Sequence, residues 1–259
     1  MEIKVNGKTV GYYKFGDGKK TLVIIPGIGV RSAVPMGPFV EKAFECFKNE
    51  YTAYLIERAN VLNDEESVDS IAKDYLEVFD KLKLKDLYIY GASFGGMLCQ
   101  SIVRQRPELI KKMALASTFA GRTGHKEGIM KWKDLTDKNN PTDLVVNMLK
   151  DIYSPNVAAQ LHDAMVKDAK SLTDADIKRF KTQLEAIMGF NNTENLKKIT
   201  CPVLIIAAKG DRLISYKESE YMHEEIKDSE LCLYDETMPH AVYDEAKDIP
   251  ERIYKFFEK

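Results

Sequence analysis

Apolar positions come first as a short alternation. Ile3 and Val5, then Thr9 to Phe15, flank Asn6-Gly7, a dipeptide whose residues tolerate positive φ, and so predict an opening antiparallel hairpin. The pattern then changes to continuous β-branched runs: Thr21 to Ile25, Thr52 to Ile56, Leu87 to Tyr90, Lys112 to Ala116, Val203 to Ala207 and, more weakly, Leu231 to Tyr234. Runs of this kind fit strands buried on both faces, as in a parallel sheet covered by helices.

Between the runs the period becomes helical. Val68, Ile71, Ala72, Tyr75, Val78, Phe79 and Leu82 make one stripe behind a Ser67 cap. Phe94 to Gln105, closed by Pro107, and Ile249 to Phe257 supply further helices. Strand, helix, strand in succession requires parallel crossovers, so the chain reads as an α/β fold with a mostly parallel eight-stranded sheet flanked by helices. One region departs from the alternation: residues 121–197 show no buried strand run but helical stretches at Leu144 to Ile152, Val157 to Ala169 and beyond Thr173, where Asp176 completes a capping box. This predicts a helical insertion opening at a Gly121-Arg122-Thr123-Gly124 hinge, set into a core of residues 1–120 and 198–259.

Composition narrows the function classes. Lys and Arg total 38 against 40 Asp and Glu, a net charge of −2 with both signs scattered, so nucleic acid is not an expected partner. The longest uncharged stretch, Leu87 to Val103, is interrupted by glycines and falls short of the ~20 apolar residues that a membrane helix needs. No apolar signal region precedes the first strand, and Cys46, Cys99, Cys201 and Cys232 lie far apart without a C-x-x-C pair. A cytoplasmic protein is expected, its cysteines acting as small packed residues, with no metal and no cofactor.

The chemistry centres on Gly91-Ala92-Ser93-Phe94-Gly95, a G-x-S-x-G placed directly after a strand run and before a helical one. A strand turning sharply into a helix strains its apex residue, and the flanking glycines keep side chains clear, so Ser93 is the candidate nucleophile. Its hydroxyl needs a base. Of four histidines, His125 falls in the hinge and His162 and His223 in polar helical surroundings, whereas His240 follows the last strand, at the same sheet edge as Ser93. Asp211, just beyond Val203 to Ala207, is the favoured carboxylate to orient it, with Asp235, Glu236 and Asp244 as rivals near His240. Backbone N–H groups of Phe94 and of Ile28, in the Pro26-Gly27-Ile28-Gly29 loop, are the candidate oxyanion donors.

With these residues in place, the chain resembles the α/β-hydrolase fold family over nearly its whole length apart from the insertion. The order Ser93, Asp211, His240 matches the family's nucleophile, acid and histidine, and the insertion before the acid strand is similar to the family's lid. Two departures stand out. Pro26-Gly27 occurs where members commonly have His-Gly, which removes a side chain that often braces the loop, and Glu57-Arg58-Ala59-Asn60 occupies the place of an Asp-x-Arg-Gly turn. Serine at position 93 disfavours dehalogenase and epoxide-hydrolase chemistry, which in similar layouts uses Asp.

The expected function is that of a cofactor-free serine hydrolase acting through an acyl-serine on a small or medium soluble ester. The same triad would also serve an amide, a thioester, a carbon–carbon bond or acyl transfer; a reading of another class is a non-catalytic small-molecule sensor. Lys167, Asp168, Lys170, Asp174, Asp176 and Lys178 give the insertion a solvated outer face rather than a lipid-binding one. Its apolar residues Trp132, Met148, Tyr153, Ile187, Met188 and Phe190 either pack its helices together or line the pocket.

Overall fold

In the computed structural model, which describes residues 1–121 and 127–259, the chain forms one eight-stranded sheet in the order β1-β2-β4-β3-β5-β6-β7-β8. The strands are β1 (Glu2–Val5), β2 (Lys8–Phe15), β3 (Lys20–Ile25), β4 (Tyr51–Ala59), β5 (Leu87–Ala92), β6 (Ile110–Ala116), β7 (Val203–Ala208) and β8 (Ser229–Tyr234). The first two pair antiparallel through a turn in which Asn6 and Gly7 both have positive φ, 49° and 76°, as the Asn-Gly dipeptide predicts. Strand β2 also pairs antiparallel with β4, and the pairings among β3 to β8 are all parallel.

The β-branched runs are buried on both faces for the reason their composition implies. Val23 and Ile25 of β3 join one apolar cluster and Leu22 and Ile24 the other, and the same alternation holds for Met113 and Leu115 against Ala114 and Ala116. Ten helices accompany the sheet among the described residues: α1 (Gly37–Ala43), α2 (Val68–Leu82), α3 (Phe94–Gln105), α4 (Glu127–Asp137), α5 (Pro141–Ile152), α6 (Pro155–Ala169), α7 (Asp174–Gly189), α8 (Tyr216–Glu225), α9 (Val242–Glu245) and α10 (Ile249–Glu258). Helices α2, α3 and α8 cover one face, through residues such as Phe79, Leu98 and Met222; α10 covers the other through Ile253, Phe256 and Phe257. The Ser67 cap on α2 and the Thr173–Asp176 capping box on α7 form as the sequence predicts.

Four differences have local causes. Strand β4 runs three residues past Ile56 to Ala59, because Glu57 and Arg58 bury their charges against protein partners instead of turning out to solvent. The polar helix α8 and the short α1 carry too weak an apolar stripe to be read from the sequence. Cys46 is exposed, so it is not the packed residue expected, whereas Cys99 and Cys201 are buried. His125 and most of the hinge lie outside the described residues.

Helices α4 to α7 fall between β6 and β7, as the missing strand pattern predicts. The chain leaves the sheet and returns at one point: Asn192 N–H donates to Ala120 O at 2.7 Å, and the Asn192 amide reaches Gln100, whose own side chain donates to Phe119 O. The apolar interior of this segment is continuous with the sheet's, Phe190 meeting Phe119 at a ring separation of 6.3 Å. Trp132, buried, donates from Nε1 to Asp151 at 2.8 Å; it and Phe190 pack the segment together. The outer face is less uniformly solvated than the sequence implies, since Asp168 and Asp176 both pair with Arg31, which follows β3.

Candidate active site

The β5–α3 turn sets the position of Ser93. Its backbone adopts φ 51° and ψ −117°, a conformation that L-residues avoid, and the strain is held by Ser93 N–H donating to Ala116 O at 2.8 Å on the neighbouring β6. Only glycine fits the two flanking positions. A Cβ on Gly95 would lie 2.1 Å from Ile25 O, and one on Gly91 would lie 2.4 Å from Gly95 O. The serine is thereby pressed to the carboxyl edge of the sheet at the start of α3, where the first helical N–H groups have no intrahelical acceptor.

His240 comes to the same place from the loop after β8. Its Nε2 lies 3.1 Å from Ser93 Oγ and its Nδ1 lies 2.8 Å from Asp211 Oδ2. Asp211 stands in the loop after β7, and its other oxygen, Oδ1, accepts the N–H groups of Leu213 and Ile214, each at 2.8 Å. Both carboxylate oxygens are therefore engaged, which fixes the plane of the carboxylate and, through it, the imidazole ring. Ser93 is 6 % exposed and His240 1 %. Contact between them takes place away from bulk water, where a hydrogen bond is electrostatically stronger.

The rival carboxylates take other partners. Asp235 and Glu236 are exposed, with Asp235 accepting from its neighbour Thr237, and Asp244 accepts the Tyr153 hydroxyl at 3.1 Å. His162 and His223 lie at the surface, as their polar surroundings imply. Phe94 begins α3 beside Ser93, and the Pro26-Gly27-Ile28-Gly29 loop runs past it, a Cβ on Gly27 being 3.4 Å from Ser93 Cβ. The structure thus brings Ser93, His240, Asp211, Phe94 and the Ile28 loop together.

Three residues at the site escape sequence reasoning. Ser117, at the end of β6 with φ 46°, donates from Oγ to the backbone carbonyl of His240 at 2.7 Å and so anchors the histidine loop to the sheet. Tyr243 stands edge-on to the His240 ring, centroids 6.0 Å apart, and burial, with the nearby Asp244 charge, pushes its phenol well above the ordinary range. Arg58 donates to Pro26 O and Gly27 O, both at 2.8 Å, and so braces the loop that lacks the family's histidine. Nothing local marks Ser117 or Tyr243; Arg58 was visible only as part of Glu57-Arg58-Ala59-Asn60, without its partners.

Comparison with known proteins agrees with this architecture. The model of the alpha/beta hydrolase fold family matches residues 20–246, and the chain belongs to that family. RutD of Stutzerimonas stutzeri, named as a carbamate hydrolase, is 23 % identical over 218 residues, covering 82 % of each chain. The human serine hydrolase BPHL is 23 % identical over 243 residues, covering 91 % of this chain and 78 % of its own. Among solved structures, MGS-M2, an alpha/beta hydrolase enzyme from a Medee basin deep-sea metagenome library, superposes with a TM-score of 0.87 at 20 % identity, covering 100 % of this chain and 98 % of its own. Among the described residues no helix is long and apolar enough to cross a membrane.

Proposed function

We propose that the protein is a serine hydrolase that cleaves a small or medium dissolved carboxylic ester through an acyl-serine intermediate, without a cofactor. The observation that carries this reading is the single imidazole bridging Ser93 Oγ and Asp211 Oδ2 at 3.1 and 2.8 Å. The names of RutD and BPHL, both hydrolases, support it.

In this reading Ser93 Oγ attacks the acyl carbon while its proton passes to His240 Nε2, and the carbonyl π pair moves onto oxygen. That oxyanion accepts the N–H groups of Phe94 and Ile28. The imidazolium, steadied by Asp211, returns its proton to the leaving alcohol as the C–O bond breaks. A water molecule then repeats the sequence on the acyl-serine, releasing the acid and restoring Ser93. Helices within residues 121–197 act as a lid over this edge, consistent with the low exposure of Ser93 and His240. The charged positions that remain on the lid's outer face favour a dissolved substrate over a lipid interface.

A fluorophosphonate probe should label Ser93 and no other serine, and Ser93→Ala should abolish both labelling and the turnover of p-nitrophenyl esters, a loss of about 10⁴-fold or more with folding retained. Labelling elsewhere, or turnover surviving in the alanine variant, would remove Ser93 from the nucleophile's role. A single stoichiometric burst without turnover would instead favour a sensor.

A further inference from the structure

Residues 26–33, between β3 and α1, carry the Ile28 N–H, and the structure grips this loop at five points. Arg58 holds the Pro26 and Gly27 carbonyls at 2.8 Å each. Gln183 Nε2 donates to Gly29 O at 3.1 Å. Arg31 pairs with Asp176 at 2.9 Å. At the far end, Ala33 N–H donates to Glu57 Oε2 at 2.6 Å.

Two of the gripping side chains share one helix with a third that grips β4. Asp176 and Gln183 lie on α7, and between them Arg179 reaches Glu57 Oε1 at 3.2 Å and Ala59 O at 2.9 Å. Their spacing of three and four residues puts them on one face. Glu57 Oε1 in turn accepts from Arg58, whose guanidinium lies 2.7 Å away and stacks over the Phe94 ring at 5.4 Å. Glu57, Arg58 and Arg179 are all buried, so the two cations share one carboxylate away from solvent. Burial pushes the Arg179 guanidinium down and the charge of Arg58 adds to this, while Glu57 opposes both.

We infer that Glu57, Arg58 and the Asp176, Arg179, Gln183 face of α7 form a positioning network that makes the oxyanion hole complete only when α7 is seated. The inference rests on the hydrolase reading and adds a condition to it. Helix α7 belongs to the segment between β6 and β7, so a displacement of that segment removes the grip on Gly29 and Arg31 and takes one of two cations from Glu57. Gly29 O is then released and Pro26 O and Gly27 O depend on Arg58 alone, so the Ile28 N–H between them is less firmly directed. Since an oxyanion donor acts only on the tetrahedral state, such loosening lowers kcat and leaves substrate affinity nearly unchanged.

The test compares Arg58→Lys, which keeps a cation beside Glu57 but cannot span two carbonyls, with Arg179→Met on α7. Arg58→Lys is expected to lower kcat on a p-nitrophenyl ester by about 10²-fold with KM within about threefold, and to weaken an alkylboronic acid by a similar factor. That probe adds Ser93 Oγ to boron and places a hydroxyl oxygen in the hole. Arg179→Met is expected to shift the same quantities the same way by about tenfold. Amide hydrogen exchange over residues 27–31 should rise in both variants, a readout independent of turnover. Folded Arg58→Lys with wild-type kcat, boronic acid affinity and exchange would overturn the network; so would Arg179→Met that leaves exchange at 27–31 untouched. Raised exchange in both variants, alongside a wild-type protein inert toward esters and boronic acids, would uphold the network's grip on the loop and overturn the hydrolase reading.

Discussion

Two helices reach the neighbourhood of Ser93 and are seated there by different forces. Helix α3 lies on the sheet through an unbroken buried stretch, Phe94 to Val103, with Gly95 close against the Ile25 carbonyl. Helix α7 has an apolar side too, Phe180, Leu184 and Ile187, but it presents Asp176 and Gln183 to the β3–α1 loop and Arg179 to Glu57 of β4. Apolar burial is non-directional and scales with area, which suits an element that must stay in place. Polar contacts are directional: the Asp176–Arg31 pair is partly exposed and exchanges readily for water, whereas Arg179 and Gln183 are buried, so they hold α7 in one orientation and leave Glu57 and Gly29 under-satisfied if it parts. Ser93 sits at the start of the helix fixed by burial, and the residues that steady one oxyanion donor sit partly on the other.

The largest expected effect separates the site from both seats. Asp211→Asn should cut kcat by about 10⁴-fold, since an amide favours the wrong imidazole tautomer, with unfolding midpoint and substrate affinity close to wild type. If Asp211→Asn retains most activity while Asp244→Asn or Glu236→Gln does not, the carboxylate has been misassigned.

A smaller effect probes the α3 seat. Leu98 is fully buried in the cluster between α2, α3 and the sheet, and Leu98→Ala should cost about 3–5 kcal/mol, lowering Tm by on the order of 10 °C. Kinetics measured well below that Tm should stay within a few-fold of wild type. A Tm shift under a degree or two would mean that the helix is held by something other than its buried face.

The smallest concerns the polar seat of α7. Burial pushes the Asp176 carboxyl up, but its bonds from Thr173 and the charges of Arg31 and Arg179 outweigh this and hold it below its ordinary 3.8. A depressed carboxylate stabilises the fold fully above the unfolded value and loses that contribution as pH falls through the lower folded value. Asp137, held down by Lys133 and Lys181, adds to the same acid window within the segment. The one tryptophan of the chain, Trp132, is buried in this segment and reports on it alone. Its emission should be constant above about pH 4 and change below that before far-UV circular dichroism of the whole fold does. Asp176→Asn should cost about 1 kcal/mol or less and reduce this early change. Coincident acid transitions by both signals would show the two seats to be one cooperative unit.

The pattern of apolar residues determined most of the elements here, α1 and α8 excepted. Runs such as Thr21 to Ile25 and Val203 to Ala207 are strands because β-branched residues buried on both faces leave no other economical arrangement, and the stripe from Val68 to Leu82 is a helix for the same local reason. The G-x-S-x-G turn was equally legible, because its strain and its glycines are properties of five consecutive residues. Chain order further pointed to His240 and favoured Asp211. The tertiary structure alone decided which acid meets His240, since Asp211, Asp235, Glu236 and Asp244 all follow late strands and only the convergence of the β7 and β8 loops brings one to 2.8 Å. It alone paired Ser117 with the carbonyl of His240, Arg58 with Pro26 and Gly27, and Arg179 with Glu57. Partners of this kind are separated by up to 123 residues, and periodicity carries no information over such distances. What satisfies a buried charge is set by whatever the fold places opposite, and only there does Arg58, one of four residues after an apolar run in the sequence, become the brace of a loop.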